Sequence, residues 1–232
     1  MKAPEFGSVS DFMLKTSSRA QPGYPFSVTG TSSGLGKSFV EAVLVSGERV
    51  VATLRKPEVL ANLKERYSPE QLLIQQLDVM NDEQIEAAFA ATKDHFGRLD
   101  IVVNNAGYGL FGEAEGLPLN EARELVEVLF WGPVKISLKV DLANATTPSD
   151  DLSCSKAVKF FREYGPANGD KYIFNIGSCG GYDAIPCVAF YSAGKFGRRS
   201  NLPLIETDDT ILVSSGRVHP VIKQRAPSVL EY

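Results

Sequence analysis

Tyr191 and Lys195 stand four residues apart in Tyr191-Ser192-Ala193-Gly194-Lys195, and Ser178 lies 13 residues before the tyrosine. On a helix, residues i and i+4 share a face, so a phenol and an ammonium at this spacing can meet one ligand. A free tyrosine titrates at about 10, too high for a base at neutral pH. A neighbouring ammonium favours the phenolate and brings that value down. A tyrosine so placed can give or take a hydroxyl proton as a general acid/base. Ser178, in Gly177-Ser178-Cys179-Gly180-Gly181, adds a hydroxyl that can hydrogen-bond the substrate oxygen. The same run approaches a nucleophile elbow but has Ile at 176 where the elbow needs Gly. A serine hydrolase also needs a histidine and an acid; the chain has two histidines, His95 and His219, and only His219 follows the serine. That chemistry is a distant alternative.

A second constellation opens the chain: Thr29-Gly30-Thr31-Ser32-Ser33-Gly34-Leu35-Gly36. An apolar-leaning run, 25–28, precedes it and a helical-looking run, 37–46, follows it. Strand, glycine-rich turn and helix together present backbone N–H groups to a dinucleotide pyrophosphate. Gly30 and Gly34 permit backbone angles and a close ligand approach that a Cβ would block. Gly36 is expected to let the helix pack tightly on the sheet. Ser32, Ser33 and Leu35 belong to the same cofactor-facing turn. The spacing is G-x-x-x-G-x-G rather than the commoner G-x-G-x-x-G, and a glycine/serine turn without a ligand is its plainer explanation.

The glycine spacing with Thr29 in front, followed in order by Asn104-Asn105-Ala106-Gly107, Asn175-Ile176-Gly177-Ser178 and Tyr191 to Lys195, resembles the short-chain dehydrogenase/reductase family. The resemblance covers roughly residues 26–197 and leans towards NADP-preferring hydroxysteroid or retinol dehydrogenase-like members. It implies that Ser178, Tyr191 and Lys195 are catalytic, with Tyr191 and Lys195 also touching the cofactor and Lys195 bonding the nicotinamide ribose. It further implies that Asp78 bonds the adenine amino group and Val79 packs on the ring. Asn104 is structural, while Asn105, Ala106 and Gly107 line the adenosine side. For Asp78, helix capping near Asn81 is an equally physical use. The cofactor supplies the hydride and the protein supplies position and electrostatics.

The choice between NAD and NADP is read from the end of the second strand. NAD-binding units place an acid there for the ribose 2′-OH. This chain has Thr53-Leu54-Arg55-Lys56 and no carboxylate before Glu58. A cation suits a 2′-phosphate, so the expected cofactor is NADP with Arg55 as the contact; a solvated Arg-Lys pair is the alternative.

Hydrophobic patterning supplies the elements that must position these residues. Phe39, Val40, Val43 and Leu44 recur at helical spacing, and Gly47 ends that helix. Residues 49–54 read as a near-continuous apolar strand of a parallel sheet covered on both faces. Residues 57–67 read as a helix with Pro in its first turn, 71–77 as a strand, 81–96 as an amphipathic helix closed by Gly97, and 99–103 as a strand. A long helix at 119–138 is expected to be interrupted near Gly132-Pro133. Residues 156–164 read as a helix, 171–176 as a strand, and 210–214 as a sixth. The fold class is α/β, a single doubly wound (Rossmann-like) domain over 25–232 with a mostly parallel sheet. Its 232 residues suffice for a sizeable core.

Composition narrows partners. A net charge of −4 with no basic block argues against nucleic acid. No apolar run approaches the roughly 20 residues that span a bilayer. Three cysteines (Cys154, Cys179 and Cys187), odd in number and without ligand spacing, suit a reducing cytoplasm and no metal site. The partner expected is a small alcohol or carbonyl compound, and a homo-oligomer is compatible with the sequence. Trp131, Tyr182 and Phe190 lean towards a lipophilic substrate.

Three stretches depart from the family. Residues 1–24 read as a flexible leader, and 139–155 as an inserted loop. Leu129 stands where the family has an Asn that holds a relay water for the catalytic lysine. After Gly197 the resemblance fails: Pro203 should break the helix, Gly216 and Pro220 are a weak stand-in for the cofactor-side turn, and the C-terminal part reads as incomplete or divergent. A catalytically impaired nucleotide-binding relative, or an aberrant truncated form, is therefore the second expectation.

Overall fold

A computed structural model describes residues 23–137, 164, 171–183, 185–200 and 211–216. Six strands form one parallel sheet in the order β3-β2-β1-β4-β5-β6. They are β1 (Pro25–Thr29), β2 (Arg49–Leu54), β3 (Leu72–Gln76), β4 (Ile101–Asn104), β5 (Lys171–Ile176) and β6 (Ile211–Gly216). Helix α1 (Gly34–Val45) crosses from β1 to β2, and a 3₁₀ turn (Pro57–Leu60) with α2 (Ala61–Arg66) crosses from β2 to β3. Helix α3 (Asp82–Phe96) then reaches β4. Strand order reverses between β3-β2-β1 and β4-β5-β6, the switch point at which ligands of such sheets bind.

Both faces of the sheet are buried, and alternation decides which residue goes where. Phe26, Val28, Val50, Ala52, Ile101, Val103 and Tyr172 face one core with Val40, Val43 and Leu44 of α1. Val102 and Ile173, one residue out of step, face a second core with Ile85 and Ala88 of α3 and with Val128 and Ile136. Burial on both sides explains the unbroken apolar reading of these strands.

Several boundaries differ from the sequence expectations. Helix α1 begins at Gly34, three residues early, because the glycine-rich turn is itself its first turn. The expected break near Gly132-Pro133 is instead a widening upstream. Helix α4 (Leu119–Val126) runs through a π turn (Glu127–Trp131) into α5 (Gly132–Ser137), and Gly132 N–H donates five residues back to the Glu127 carbonyl. Pro133 has no N–H for the Leu129 carbonyl and its ring crowds that group, so the preceding turn opens rather than the helix ending. Gly23 and Tyr24, read as part of the leader, are tied down: Arg49 donates to the Gly23 carbonyl at 2.8 and 2.9 Å, and Tyr24 N–H donates to the Glu48 carboxylate. The rest of the leader, the 139–155 loop, Pro203 and Pro220 lie outside the described residues, as does the 156–164 helix apart from Tyr164. The expected sixth strand is β6, parallel to β5 from Lys171↔Ile211 to Ile176↔Gly216. Helix α6 (Ala189–Ser200) lies between β5 and β6 in sequence and carries Tyr191 and Lys195.

Candidate active site

The carboxyl ends of β1, β4 and β5 are held by neutral polar side chains. Buried Thr29 accepts through Oγ1 from the N–H groups of Asn105 and Ala106, each at 3.0 Å. Asn105 Nδ2 donates to the Thr29 carbonyl at 2.9 Å and the Gly30 carbonyl at 3.2 Å. Thr31 donates through Oγ1 to the Thr53 carbonyl. The turn after β1 and the turn after β4 therefore form one unit. Asn105, expected to line adenosine, uses its amide to lock that unit.

Its glycines do different work from one another. Gly30 has φ +69, and a Cβ there would lie 2.7 Å from Ala106 Cα. A Cβ on Gly36 would lie 2.4 Å from both the Gly30 carbonyl oxygen and Asn105 Nδ2. Gly36 thus admits the helix to the turn and Asn105, rather than to the sheet as the sequence suggested. Gly34 differs: at φ +54 its Cβ direction meets nothing within 4 Å. Ser32, Ser33 and Leu35 beside it are exposed. Ser33, at the N-cap, makes no side-chain cap bond, and the first turn of α1 holds no acid. Unsatisfied N–H groups at a helix start, open to solvent and free of competing carboxylate, fit a pyrophosphate.

Arg55 and Lys56 stand exposed just beyond β2. Asp78 follows β3 and is half-buried. Its Oδ1 accepts from Met80 N–H at 3.0 Å, and its own N–H donates to Gln84 Oε1 at 2.7 Å. Helix capping belongs to Asn81, which accepts from Gln84 N–H at 2.9 Å. Val79 is 6% exposed and packs on Gly132 in the second core, which leaves little side chain for a ligand ring.

Ser178, Tyr191 and Lys195 come together. They line one pocket of about 420 Å³ with Asn105, Gly107, Tyr108, Phe111 and Val188 among its other walls. Ser178 sits at the start of a 3₁₀ turn (Cys179–Gly181), and its Oγ accepts from Gly180 N–H at 3.2 Å. Lys195 is 7% exposed; its Nζ donates to the Ile176 carbonyl at 2.8 Å and lies 5.7 Å from the Tyr191 ring centre. A buried ammonium is thus fixed to the end of β5, one helical turn from a phenol that faces the same cavity. A Cβ on Gly107 would lie 3.9 Å from Lys195 Nζ and 2.7 Å from Leu129 Cδ2. Leu129, fully buried in the π turn, meets the Cβ directions of both Gly107 and Gly194.

The aromatic residues from which the sequence leans towards a lipophilic substrate are not the ones that wall the pocket. Trp131, Tyr182 and Phe190 are not among its lining residues; Tyr108, Phe111, Ile185 and Val188 are. Trp131 instead packs edge-on against Phe130. The missed residues had a signal, since Tyr108 to Phe111 directly continue Asn104–Gly107 and Ile185 and Val188 lie between Ser178 and Tyr191. The two stretches are joined where Gly112 N–H donates to the Cys187 carbonyl at 2.8 Å, with Cys187 at φ +61. Burial pushes the Tyr108 hydroxyl above its ordinary range, with the Glu124 carboxylate adding to it and the Arg55 cation opposing.

The hydrolase alternative gains no support. Among the described residues Ser178 Oγ is in contact with Gly180 N–H and, at 3.9 Å, with Cys179 Sγ. His95 lies at the far end of α3 against the Pro69 carbonyl, and His219 is outside the described residues. Among the described residues no group of three potential metal ligands occurs, and no helix is long and apolar enough to cross a membrane.

Comparison with known proteins agrees with this geometry. A profile of the short chain dehydrogenase family matches residues 26–141. An uncharacterized oxidoreductase of Schizosaccharomyces pombe is 34% identical over 169 residues, 73% of this chain and 49% of that one. Mouse 15-hydroxyprostaglandin dehydrogenase [NAD(+)] is 43% identical over 84 residues, 34% of this chain and 31% of that protein. A short chain dehydrogenase structure from Bacillus anthracis superposes with a TM-score of 0.64 at 28% identity, over 78% of this chain and 68% of its own. The chain spans about half the length of the curated oxidoreductases it matches over most of its own length.

Proposed function

The chain belongs to the short-chain dehydrogenase family, and from that premise we propose that it is an NADP-dependent oxidoreductase acting between an alcohol and a ketone on a lipophilic compound. The observation that carries this reading is the convergence of Ser178, Tyr191 and Lys195 on the pocket that Asn105 and Gly107 also line. The α1 N-terminus would receive the pyrophosphate and Arg55 the 2′-phosphate. The name of the mouse relative specifies NAD(+); the feature of this chain that favours NADP is the Arg55-Lys56 pair where an acid would serve NAD. NADPH, when bound, supplies the hydride.

The chain's own residues handle the oxygen and its proton. Ser178 Oγ, held by Gly180 N–H, keeps its hydroxyl hydrogen to donate to the substrate oxygen. Tyr191 gives the proton in reduction and takes it in oxidation. Lys195, anchored on the Ile176 carbonyl, sets a positive charge beside the phenol where charge develops. Tyr108, Phe111, Ile185 and Val188 exclude water on the substrate side and favour an apolar body next to the reacting carbon. Steady-state NADPH oxidation with a panel of apolar ketones, run beside nucleotide-binding calorimetry on the same preparation, tests the reading. Binding with no turnover on any ketone would remove the catalytic part.

A second reading, a relative that binds nucleotide but turns over poorly, is favoured by one observation. Leu129 puts a hydrocarbon against Gly107 and against Gly194, the residue before Lys195, where the family's relay group would stand. Leu129→Asn should then raise turnover with little change in NADPH affinity. No gain in a folded variant would locate the defect elsewhere.

A further inference from the structure

Asn104 ends β4 and stands opposite Asn175 of β5 in register. Their residues are 1% and 4% exposed. Asn104 Nδ2 donates to Asn175 Oδ1 at 3.0 Å and to Ser137 Oγ of α5 at 2.9 Å. Among the described residues, two atoms of this pair have no partner: Asn104 Oδ1 and Asn175 Nδ2. One is an acceptor and the other a donor. Amide orientation does not remove the deficit. Turning both amides over leaves Asn104 Nδ2 and Asn175 Oδ1 unpaired instead, and turning one alone sets like atoms against each other. The cluster therefore always lacks one donor and one acceptor.

A buried polar atom without a partner forfeits its hydration with nothing in return, and buried polar atoms are nearly always satisfied. The missing pair has the complementarity of a water molecule, which accepts from the amide N–H and donates to the carbonyl. A cation would leave the N–H unpaired, and an anion would leave the carbonyl unpaired. Ser137, already accepting from Asn104, keeps a hydroxyl hydrogen for a third bond, and buried waters typically make about three.

We infer that the Asn104–Ser137–Asn175 cluster is an internal water site, with one molecule bridging the two amides between β4 and β5. The site is next in the chain to the group that fixes the lysine, because Asn175 precedes Ile176, whose carbonyl holds the Lys195 ammonium. The water joins the two strands at the last paired residues before they part towards Gly107 and Ser178.

A crystal structure of the unaltered full chain at a resolution that shows waters tests this directly. The expected result is one ordered water within about 3.2 Å of an oxygen of one amide and the nitrogen of the other. Empty density there, or amides turned to partners of their own, would overturn the site. In solution, the Asn175 side-chain N–H₂ signals should show a cross-peak to a long-lived water, and Asn104→Leu, which keeps the observed amide and removes the other wall of the site, should abolish it. If that variant does not fold, the unaltered chain still decides, since N–H₂ signals without a water cross-peak refute the proposal. None of these readouts uses turnover, so they are independent of the proposed activity.

Discussion

At the amino ends of the strands, Glu48, Arg49, Arg98, Asp100 and Lys171 crowd together. Arg98 grips fully buried Asp100 through Nε at 3.0 Å and Nη2 at 2.8 Å. At the carboxyl ends, the buried polar groups that join strand to strand are threonines and asparagines, bonded to one another and to backbone groups without a formal charge, and the buried charge there among the described residues is Lys195, held on the Ile176 carbonyl. The same sheet thus has an ionic end and a neutral end. Burial pushes the Glu48 and Asp100 carboxyls up from their ordinary values, with Tyr24 N–H opposing for Glu48 and the Arg98 guanidinium for Asp100. Charge at that end therefore carries a desolvation cost that pairing only partly offsets. At the other end, hydroxyls and amides fix the backbone, and the positive features are the α1 N-terminus, Arg55 and Lys195, the groups proposed above to meet the nucleotide or the phenol.

The sharpest way to separate the two ends is Tyr191→Phe. It removes one hydroxyl and little volume, so turnover should fall by about 100- to 10,000-fold while NADPH binding and melting temperature stay nearly unchanged. Turnover that survives would assign the chemistry to another site. Gly36→Ala breaks the neutral end mechanically. Its methyl would meet Asn105 Nδ2 and the Gly30 carbonyl, a crowding worth about 1–3 kcal/mol; thermal melting should drop and calorimetry should show weakened nucleotide binding. An unchanged melt with unchanged affinity would mean the turn is looser than its contacts indicate.

Arg55→Asp reverses the charge and removes the guanidinium donors at an exposed position just beyond β2. The NADPH-to-NADH affinity ratio should move towards NADH by roughly tenfold, the scale of one charge-assisted hydrogen bond, and equal affinities in the unaltered protein would refute the NADP assignment. The smallest effect belongs to the ionic end. A carboxyl whose value is raised on folding adds stability that is full below its unfolded value and lost as pH rises through its folded one. Glu48→Gln keeps an acceptor for Tyr24 N–H and removes the titration. Its melting temperature relative to the unaltered protein should be most favourable at neutral pH, by at most about 2–4 °C. That advantage should shrink as pH falls through the raised Glu48 range towards ordinary carboxylate values. A difference independent of pH would show that Glu48 does not titrate differently on folding.

Sequence by itself determined the order of elements and the identity of the chemical stretches. Near-continuous apolar runs of four to six residues bounded by turn signals read as strands buried on two faces, and Gly47 and Gly97 closed their helices at φ +82 and +70 as expected of helix-ending glycines. Local rules also placed Tyr191 and Lys195 on one helix, because i and i+4 spacing needs no tertiary information. Tertiary structure decided what each side chain meets. Whether Gly36 faces sheet or turn, whether Val79 is offered to a ligand or spent on Gly132, and which aromatics wall the pocket all depend on how loops from distant strands approach. The π turn before Pro133, the pairing of Asn104 with Asn175 and the ionic cluster at the strand starts have the same origin. A side chain's periodicity is written in its neighbours along the chain; its partners across the sheet are set only when the strands are aligned.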